Sequence, residues 1–463
     1  MNNLANKKVL VLGLGETGLS LVRWMLVHKA QVRVADSRNA PPSLASTQEN
    51  FPQIEVRCGI FRSELLDGIE LIAISPGVPM ADPLIQKALA RGIPVVGDIE
   101  LFAQSLPKEN PPKVIAITGA NGKTTVTSMV GAMCRTAGLD TEVAGNISPA
   151  VLDVLIDRKG KQPDVWVLEL SSFQLETTYC LNAHAATVLN ISEDHLDRYT
   201  DMAGYIAAKA RIFRCDGRGS GSVQVVNRDD PESMAMGLRE RLIQSFGVDT
   251  PPLSKHDMGI ERDADGIWLL EGSRRLMNAV ELQVEGMHNI SNALAAISLC
   301  RAVGLPMSPL LNALRAFKGL PHRVEKVAEI NGVTYYDDSK GTNVGATVAA
   351  LNGLGRTAVV ILGGDGKGQD FAPLQNVVTQ HARVAVLIGR DAAKIAEALK
   401  DTGVPLLLAK DMRDAVRISA DEAEEGDAVL MSPACASFDM FKNYVHRAEI
   451  FIAAVKELEA EVS

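Results

Sequence analysis

Short β-branched or aliphatic runs of two to six residues alternate along this chain with longer stretches in which apolar positions recur every three or four residues. Such brief, continuously apolar runs suit strands of a parallel sheet buried on both faces, and the stretches between them suit covering helices. A first series lies at 9–12, 32–35, 71–74 and 95–96. A second lies at 114–118, 165–170, 186–190 and 223–227, and a third at 334–336, 358–362, 384–388, 406–408 and 428–431. Each series predicts a doubly wound α/β unit. Between 260 and 284, GIWLLEG and VELQV alternate with period two, which predicts short antiparallel strands and a mixed sheet in the middle unit. The segment 289–303 returns to a helical period. QSLPKENPPK at 104–113 is polar with three prolines and predicts a linker, because proline offers no N–H to helix or ladder. DGRGSGS at 216–222 predicts an exposed turn, and Gly-Leu-Pro at 319–321 precedes the third series.

Length agrees with three units, since 463 residues at roughly 150 per domain leave room for three. The expected boundaries are 1–110, 111–320 and 321–463. A chain 46% hydrophobic and 22% charged is an ordinary globular one, which excludes disorder and collagen. Net charge is −9 and no basic block stands out, so neither nucleic acid nor an anionic membrane is an expected partner. No run approaches the roughly 20 apolar residues that span a bilayer. Lys7 and Lys8 before an apolar run imitate the start of a signal peptide, but Glu16 ends the run early and it reads better as a strand. The cysteines at 58, 134, 180, 215, 300 and 435 form no CxxC and no Cys/His cluster, which argues against zinc and disulfides and for the cytoplasm. Only Cys435 stands in a loop that invites attention.

Two glycine turns carry the first chemistry. Gly13-Leu-Gly15-Glu-Thr-Gly18 follows a strand, and Asp36 ends the next one. Glycines there permit a tight turn that brings backbone N–H groups at a helix start close to a diphosphate, with an acid placed for a ribose or base. By itself the pattern suggests a nicotinamide cofactor; in this strand-turn-helix setting it favours a nucleotide diphosphate over a purely structural turn and leaves open which nucleotide. Thr118-Gly119-Ala-Asn121-Gly122-Lys123-Thr124-Thr125, again between strand and helix, is sharper. Loop amides and the Lys123 ammonium suit triphosphate oxygens, and the Thr124 hydroxyl suits Mg²⁺. The full P-loop spacing wants Gly at 117, where Ile stands. Glu169 ends a strand where a parallel sheet opens into its crevice and suits the same Mg²⁺. His195 suits either a metal or a turn cap, and Lys209, in a helical AAKARIF, reads as an exposed amine.

The order of further motifs is more specific. GANGKTT at 119–125, LELSSFQLE at 168–176, NISEDHLDRY at 190–199, GMHNISNALAA at 286–296, GLPHR at 319–323, DDSKGTN at 337–343, GGDGK at 363–367 and SPACASFDMFKNY at 432–444 follow one another as in the Mur ligases. The chain resembles that family over nearly its whole length. The N-terminal glycine turn, SPG at 75–77, GDIELF at 97–102 and the SPACAS loop resemble the member that adds D-glutamate, and no Asp-Asn-Pro-Arg tetrad of the diaminopimelate- or lysine-adding member is present. The resemblance implies a Rossmann-like N-terminal domain for a UDP-substrate, a central P-loop ATPase-like domain with a mixed sheet, and a Rossmann-like C-terminal domain for the incoming amino acid.

It also implies a reaction: ATP-dependent ligation of D-glutamate to UDP-N-acetylmuramoyl-L-alanine (UDP-MurNAc-L-Ala) through an acyl phosphate, in peptidoglycan precursor synthesis. Two Mg²⁺ ions would be held by Thr124, Glu169 and His195, with Lys209 as an N-carbamate. Gly119, Asn121, Gly122, Lys123, Thr124 and Thr125 would bind the ATP phosphates, Asn289 and Asn292 the adenine, and Arg323 and Asp338 the phosphates or ribose. Glu16, Thr17, Asp36, Ser37, Arg38 and Gly77 would hold the UDP end, and Asn146 the alanyl end. Thr342, Lys367, Ser437, Phe438 and Tyr444 would pin the amino acid, with Lys340 a hinge or phosphate contact. Tyr444 stands where the family pattern suggests Phe, which leaves open whether its ring or its backbone is used. GGDGK alone would be a tight turn. A monomer is expected, with the C-terminal domain closing about 319–324. Competing readings are another Mur ligase, a folylpolyglutamate synthetase, a non-catalytic nucleotide-binding regulator, and a nicotinamide-dependent dehydrogenase that takes the first glycine turn literally.

Overall fold

The structure, a computed structural model, describes residues 4–194, 198–214, 222–249 and 255–462. Most of the turn expected at 216–222, and with it Cys215, lies outside them. Three sheets follow one another along the chain. The first is parallel, in the order Glu55–Cys58, Gln31–Asp36, Lys8–Leu12, Leu71–Ile74, Val95–Val96. Its order reverses beside Lys8–Leu12, so a crevice opens at that strand's carboxyl end, where the glycine turn sits.

The central sheet has nine strands. Seven are parallel, running from Met258–Asp263 to Thr141–Gly145, and Gly266–Glu271 and Arg274–Asn278 add an antiparallel edge. The mixed sheet expected from the period-two segment is therefore present, with GIWLLEG as one of its strands, but VELQV at 280–284 forms no strand: it begins in a single helical turn, Ala279–Glu281, capped by Asn278, and the edge strand is Arg274–Asn278 instead. The third sheet is parallel apart from Glu325–Ile330, which pairs antiparallel with Val333–Asp337. Strands Val9 to Leu12, Ile115 to Ile117, Val359 to Leu362 and Val429 to Met431 are fully buried, as strands covered on both faces must be.

Several strands did not stand out as apolar runs, the edge strands Arg274–Asn278 and Glu325–Ile330 among them. Glu55–Cys58 and Thr141–Gly145 are edge strands whose partly exposed residues need no continuous apolar run. Leu242–Phe246 is buried only at its last two residues. The proline-rich segment separates the helix Asp98–Ser105 from the strand Lys113–Thr118. That helix seals the first unit against the second. Gly97 lies so close to Thr177 that a Cβ there would stand 2.3 Å from Thr177 Oγ1. Gln174 Nε2 donates to Asp98 (2.9 Å), the Tyr179 and Cys180 amides donate to Glu100 (2.6 and 2.9 Å), and Phe102 meets Trp166 edge-on at 5.0 Å.

Candidate active site

Strand Lys113–Thr118 lies between Val165–Glu169 and Ala185–Val188, so residues leaving all three strands meet at one crevice. The loop 119–122 turns there into the helix Lys123–Thr136. Gly122 has φ +80°, and a Cβ on it would stand 2.6 Å from Asn292 Oδ1, so both the turn and the close approach of the second helix require glycine. The first amides of the helix face the crevice without intrahelical partners, which makes a ready anion site. Lys123 curls over the loop and donates to the Gly119 and Ala120 carbonyls at 2.8 and 2.9 Å. Burial lowers its pKa, with Glu169 and Asp194 pulling the other way.

Glu169 is 2% exposed. Its Oε1 accepts from Asn146 Nδ2 at 2.9 Å, whereas its Oε2 is buried with no hydrogen-bond partner among the described residues. A buried carboxylate oxygen without a donor is expensive unless a cation meets it. Thr124 lines the same cavity, so the donor set fits a hard divalent ion such as Mg²⁺. Lys209 is not an exposed amine. It is 2% exposed, donates to the Gly119 carbonyl at 2.8 Å, and lies 4.7 Å from the Tyr205 ring centre. Burial, and then the neighbouring Lys123, push its pKa well below the ordinary value, against the pull of Asp194 and Glu169. His195 lies outside the described residues.

The cavity that collects these groups measures about 790 Å³ and runs from the central unit into the third. Asn289 and Asn292 line it from the helix Met287–Ala302, joined by an Asn292 Nδ2 to Asn289 Oδ1 bond of 3.3 Å. Arg323 and Asp338 face them from the third unit. Burial lowers the Arg323 pKa against Glu169 and Asp338. Burial pushes Asp338, which accepts from Ser432 Oγ at 2.6 Å, up to about 7. Thr342, Lys367, Ser437, Phe438 and Tyr444 complete the lining. They come from segments that follow Val333–Asp337, Ala358–Gly363 and Ala428–Met431, three adjacent strands whose carboxyl ends point at the ATP-type loop.

The Tyr444 ring and backbone serve separate partners: Lys340 Nζ sits 4.1 Å from the ring centre, and Ser339 Oγ donates to the carbonyl at 2.7 Å. Burial, then Arg323 and Lys123, bring Lys340 down to about 8. Five basic side chains and three acids line this cavity, the reverse of the −9 carried by the whole chain. Such a lining selects anions. Cys435 is fully buried, with its thiol pushed up to about 12 by burial, and has no reactive thiolate to offer.

The residues expected for UDP sit elsewhere. Glu16, Thr17, Asp36, Ser37, Arg38 and Gly77 lie on the first sheet's crevice, outside the cavity lining, and Asn146 alone belongs to it. Gly13 has φ +86°, and a Cβ on Gly18 would stand 1.9 Å from the Gly13 carbonyl oxygen. Gly15 and Gly77 face open space. Asp36 accepts from the Leu14 amide (2.6 Å) and from Arg38 through its amide, Nε and NH2 (2.8, 2.9 and 2.7 Å). Both its oxygens thus already meet donors within the chain. The crevice is linked to the central unit by Ser148 Oγ, which donates to Glu16 at 2.7 Å, and by Arg198 NH2, which donates to the Val78 carbonyl at 3.0 Å. Asp194, Ser148 and Asn343 were not singled out from the sequence. Asn343 carries a helix-cap signature in KGTN before an apolar run, but its partners stand more than a hundred residues away.

Three family models match in succession: a MurD-like Mur ligase N-terminal domain over residues 7–97, a Mur ligase middle domain over 117–300, and a Mur ligase glutamate ligase domain over 322–435. The chain is 58% identical, over 99% of its length and 97% of the relative's, to the UDP-N-acetylmuramoylalanine–D-glutamate ligase of Nitrosospira multiformis. It is 54% identical to that of Nitrosomonas europaea, over 99% and 98% of the two chains. Among solved structures it resembles a pseudomurein peptide ligase type C from Methanothermus fervidus (TM-score 0.59, 18% identity, 98% and 100% covered). It likewise resembles a UDP-N-acetylmuramate–alanine ligase from Thermotoga maritima (TM-score 0.58, 18% identity, 97% and 99% covered). At that identity the two structures speak for the fold alone.

Proposed function

The chain belongs to the Mur ligase family, and on that premise we propose that its three crevices hold UDP-MurNAc-L-Ala, ATP and D-glutamate. The enzyme is an ATP-dependent amide-bond-forming ligase that adds D-glutamate to UDP-MurNAc-L-Ala in peptidoglycan synthesis. What carries the assignment of sites is the convergence of Lys123, Glu169, Lys209, Arg323, Lys340 and Lys367 on one cavity between the central and third units.

Joining a carboxylate to an amine in water is uphill, so the carboxylate must first be activated. A terminal carboxylate oxygen of the alanyl end, guided by Asn146, attacks the γ-phosphorus of ATP, and ADP leaves. The acyl phosphate so formed is attacked at its carbonyl carbon by the uncharged amine of D-glutamate. Phosphate departs and the amine loses a proton. The first step brings two anions together, and positive groups must lower that repulsion. Lys123 and the amides at 119–125 hold the β- and γ-phosphates, Arg323 lies beside them, Asp338 accepts from the ribose, and Asn289 and Asn292 meet the adenine. Thr124, Glu169 and His195 would hold Mg²⁺, which when bound would supply Lewis-acid neutralisation of the negative charge brought together there. Lys209, buried and with a lowered pKa, is suited to attack CO₂ as the uncharged amine: its lone pair forms the N–C bond, a C=O π pair moves onto oxygen, a proton leaves to solvent, and the carbamate would place a second anion beside the metal site.

D-glutamate brings two carboxylates. Lys367 and Lys340 meet them as point charges, while Thr342, Ser437 and the Phe438 segment direct them by hydrogen bonds. Tyr444 holds the Lys340 ammonium over its ring. At the far end, amides at the start of helix Glu16–Val27, with Thr17, Ser37, Arg38 and Gly77, hold the UDP diphosphate and ribose. All proposed site residues come from one chain, so a monomer suffices, working in the cytoplasm where its nucleotide substrates are. No helix among the described residues is long and apolar enough to cross a membrane.

The test is phosphate release from ATP with UDP-MurNAc-L-Ala and, separately, D-glutamate, L-glutamate, L-alanine and meso-diaminopimelate. Turnover with D-glutamate alone is expected. No turnover with D-glutamate would overturn the reading, and saturable NADH binding without ATP turnover would revive a dehydrogenase.

A further inference from the structure

The side chain of Asn121, in the middle of the ATP-type loop, points away from the loop and into the third unit. Its Nδ2 donates to Asn343 Oδ1 at 3.2 Å, and Asn343 Nδ2 donates back to Asn121 Oδ1 at 3.1 Å. The two carboxamides form a closed reciprocal pair. Asn343 is 3% exposed, so its half of the pair is shielded from competing water. The loop side is held independently, because the Asn121 amide donates to Asn190 Oδ1 at 2.8 Å and Asn190 Nδ2 donates to the Asn121 carbonyl at 3.1 Å. The other side is held too: Asn343 Oδ1 caps the helix Val344–Gly353 by accepting from the Ala346 amide at 2.8 Å.

Neighbouring contacts align with the pair. Asn343 Nδ2 reaches Asp194 at 3.4 Å, Lys367 Nζ stands 3.6 Å from the same Asp194, and the Asp370 amide donates to Glu193 at 3.4 Å. At Gly345 a Cβ would stand 2.8 Å from Ser192 Oγ and 3.2 Å from Asn121 Nδ2, so only glycine lets the two units approach this far. Asn343 directly follows Thr342 and lies three residues from Lys340, both assigned above to the amino acid. Any displacement of Asn343 therefore displaces that half of the acceptor pocket.

We propose that the Asn121–Asn343 amide pair is a positioning contact that ties the phosphate loop of the central unit to the amino-acid pocket of the third. The pocket then takes its working shape only while the loop holds its own. The two carboxamides are engaged with each other, which leaves the loop's backbone amides to meet the phosphates. The proposal rests on the assignment of D-glutamate to the third unit, and part of its test does not.

Asn343→Ser keeps an oxygen for the helix cap but removes the reciprocal pair. Losing two buried hydrogen bonds should raise the D-glutamate KM about tenfold or more. The ATP Kd, measured by calorimetry, should stay within about twofold, since no ATP contact is removed. Asn121→Ala should raise the D-glutamate KM similarly while leaving the cap intact, and the double variant should be no worse than the poorer single one. Hydrogen exchange in Asn121→Ala should quicken at 340–347, across the interface, as well as at 119–125. Losses that multiply in the double variant, an unchanged D-glutamate KM, or exchange that quickens only at 119–125 would each overturn the proposal. Wild-type protein inactive with D-glutamate would sink the functional assignment while the exchange result still judged the pair. If Asn343→Ser does not fold, Asn121→Ala carries the exchange and KM readouts alone.

Discussion

Asp98 offers a quantitative test of how the first two units are joined. It is fully buried at the start of the helix Asp98–Ser105, where Gln174 Nε2 donates to its Oδ2 and the Ile99 and Asp98 amides also favour the charged form. Burial outweighs these bonds and raises its pKa from 3.8 to about 6. A pKa raised in the folded state means that folding favours the protonated form. The stabilisation is therefore complete below the unfolded value of 3.8 and is lost as pH rises through about 6. A shift of about two units corresponds to about 3 kcal/mol at 1.36 kcal/mol per unit. About 2 kcal/mol of it falls between roughly pH 4.5 and 7.5.

Asp98→Asn removes the titration while keeping the acceptor for Gln174. Its new Nδ2 meets no acceptor, at a pH-independent cost of about 1–3 kcal/mol. The difference in stability between wild type and variant should thus shift by about 2 kcal/mol across that range, whatever its absolute size. Urea unfolding followed through Trp166, which packs on Phe102 of the same helix, reads it. Parallel curves for the two proteins would show that burial does not hold a proton on Asp98, and the linkage argument would fall.

Two predictions concern the chemistry. Lys209→Ala should lose most activity and regain part of it when a short carboxylic acid is added, because an exogenous carboxylate replaces the carbamate; an active variant, or one that no acid rescues, would refute that role. Tyr444→Phe should keep its D-glutamate KM within about twofold, since the ring still faces Lys340 and the carbonyl still accepts from Ser339, whereas Tyr444→Ala should raise it by about fivefold on losing a cation–π contact of roughly 1 kcal/mol. Equal effects of the two substitutions would instead place the working group in the phenol oxygen.

The sequence by itself determined the architecture and much of the chemistry. Buried parallel strands leave apolar runs that survive without their neighbours, and a glycine-lysine-threonine turn between strand and helix has few uses other than phosphate binding. Order of motifs then pointed to the family. Only tertiary structure decided the electrostatic state of the site. Lys209 reads as a surface amine along the chain, yet the third dimension surrounds it with Gly119, Tyr205, Glu169 and Lys123 and alters its pKa. Asp36 reads as a ribose acid, yet its oxygens are engaged by Leu14 and Arg38. Asn343 reads as a helix cap and proves also to face Asn121 across a unit boundary. Periodicity and turn chemistry are properties of near neighbours in the chain, whereas burial, charge coupling and contacts between units depend on which distant segments share a volume.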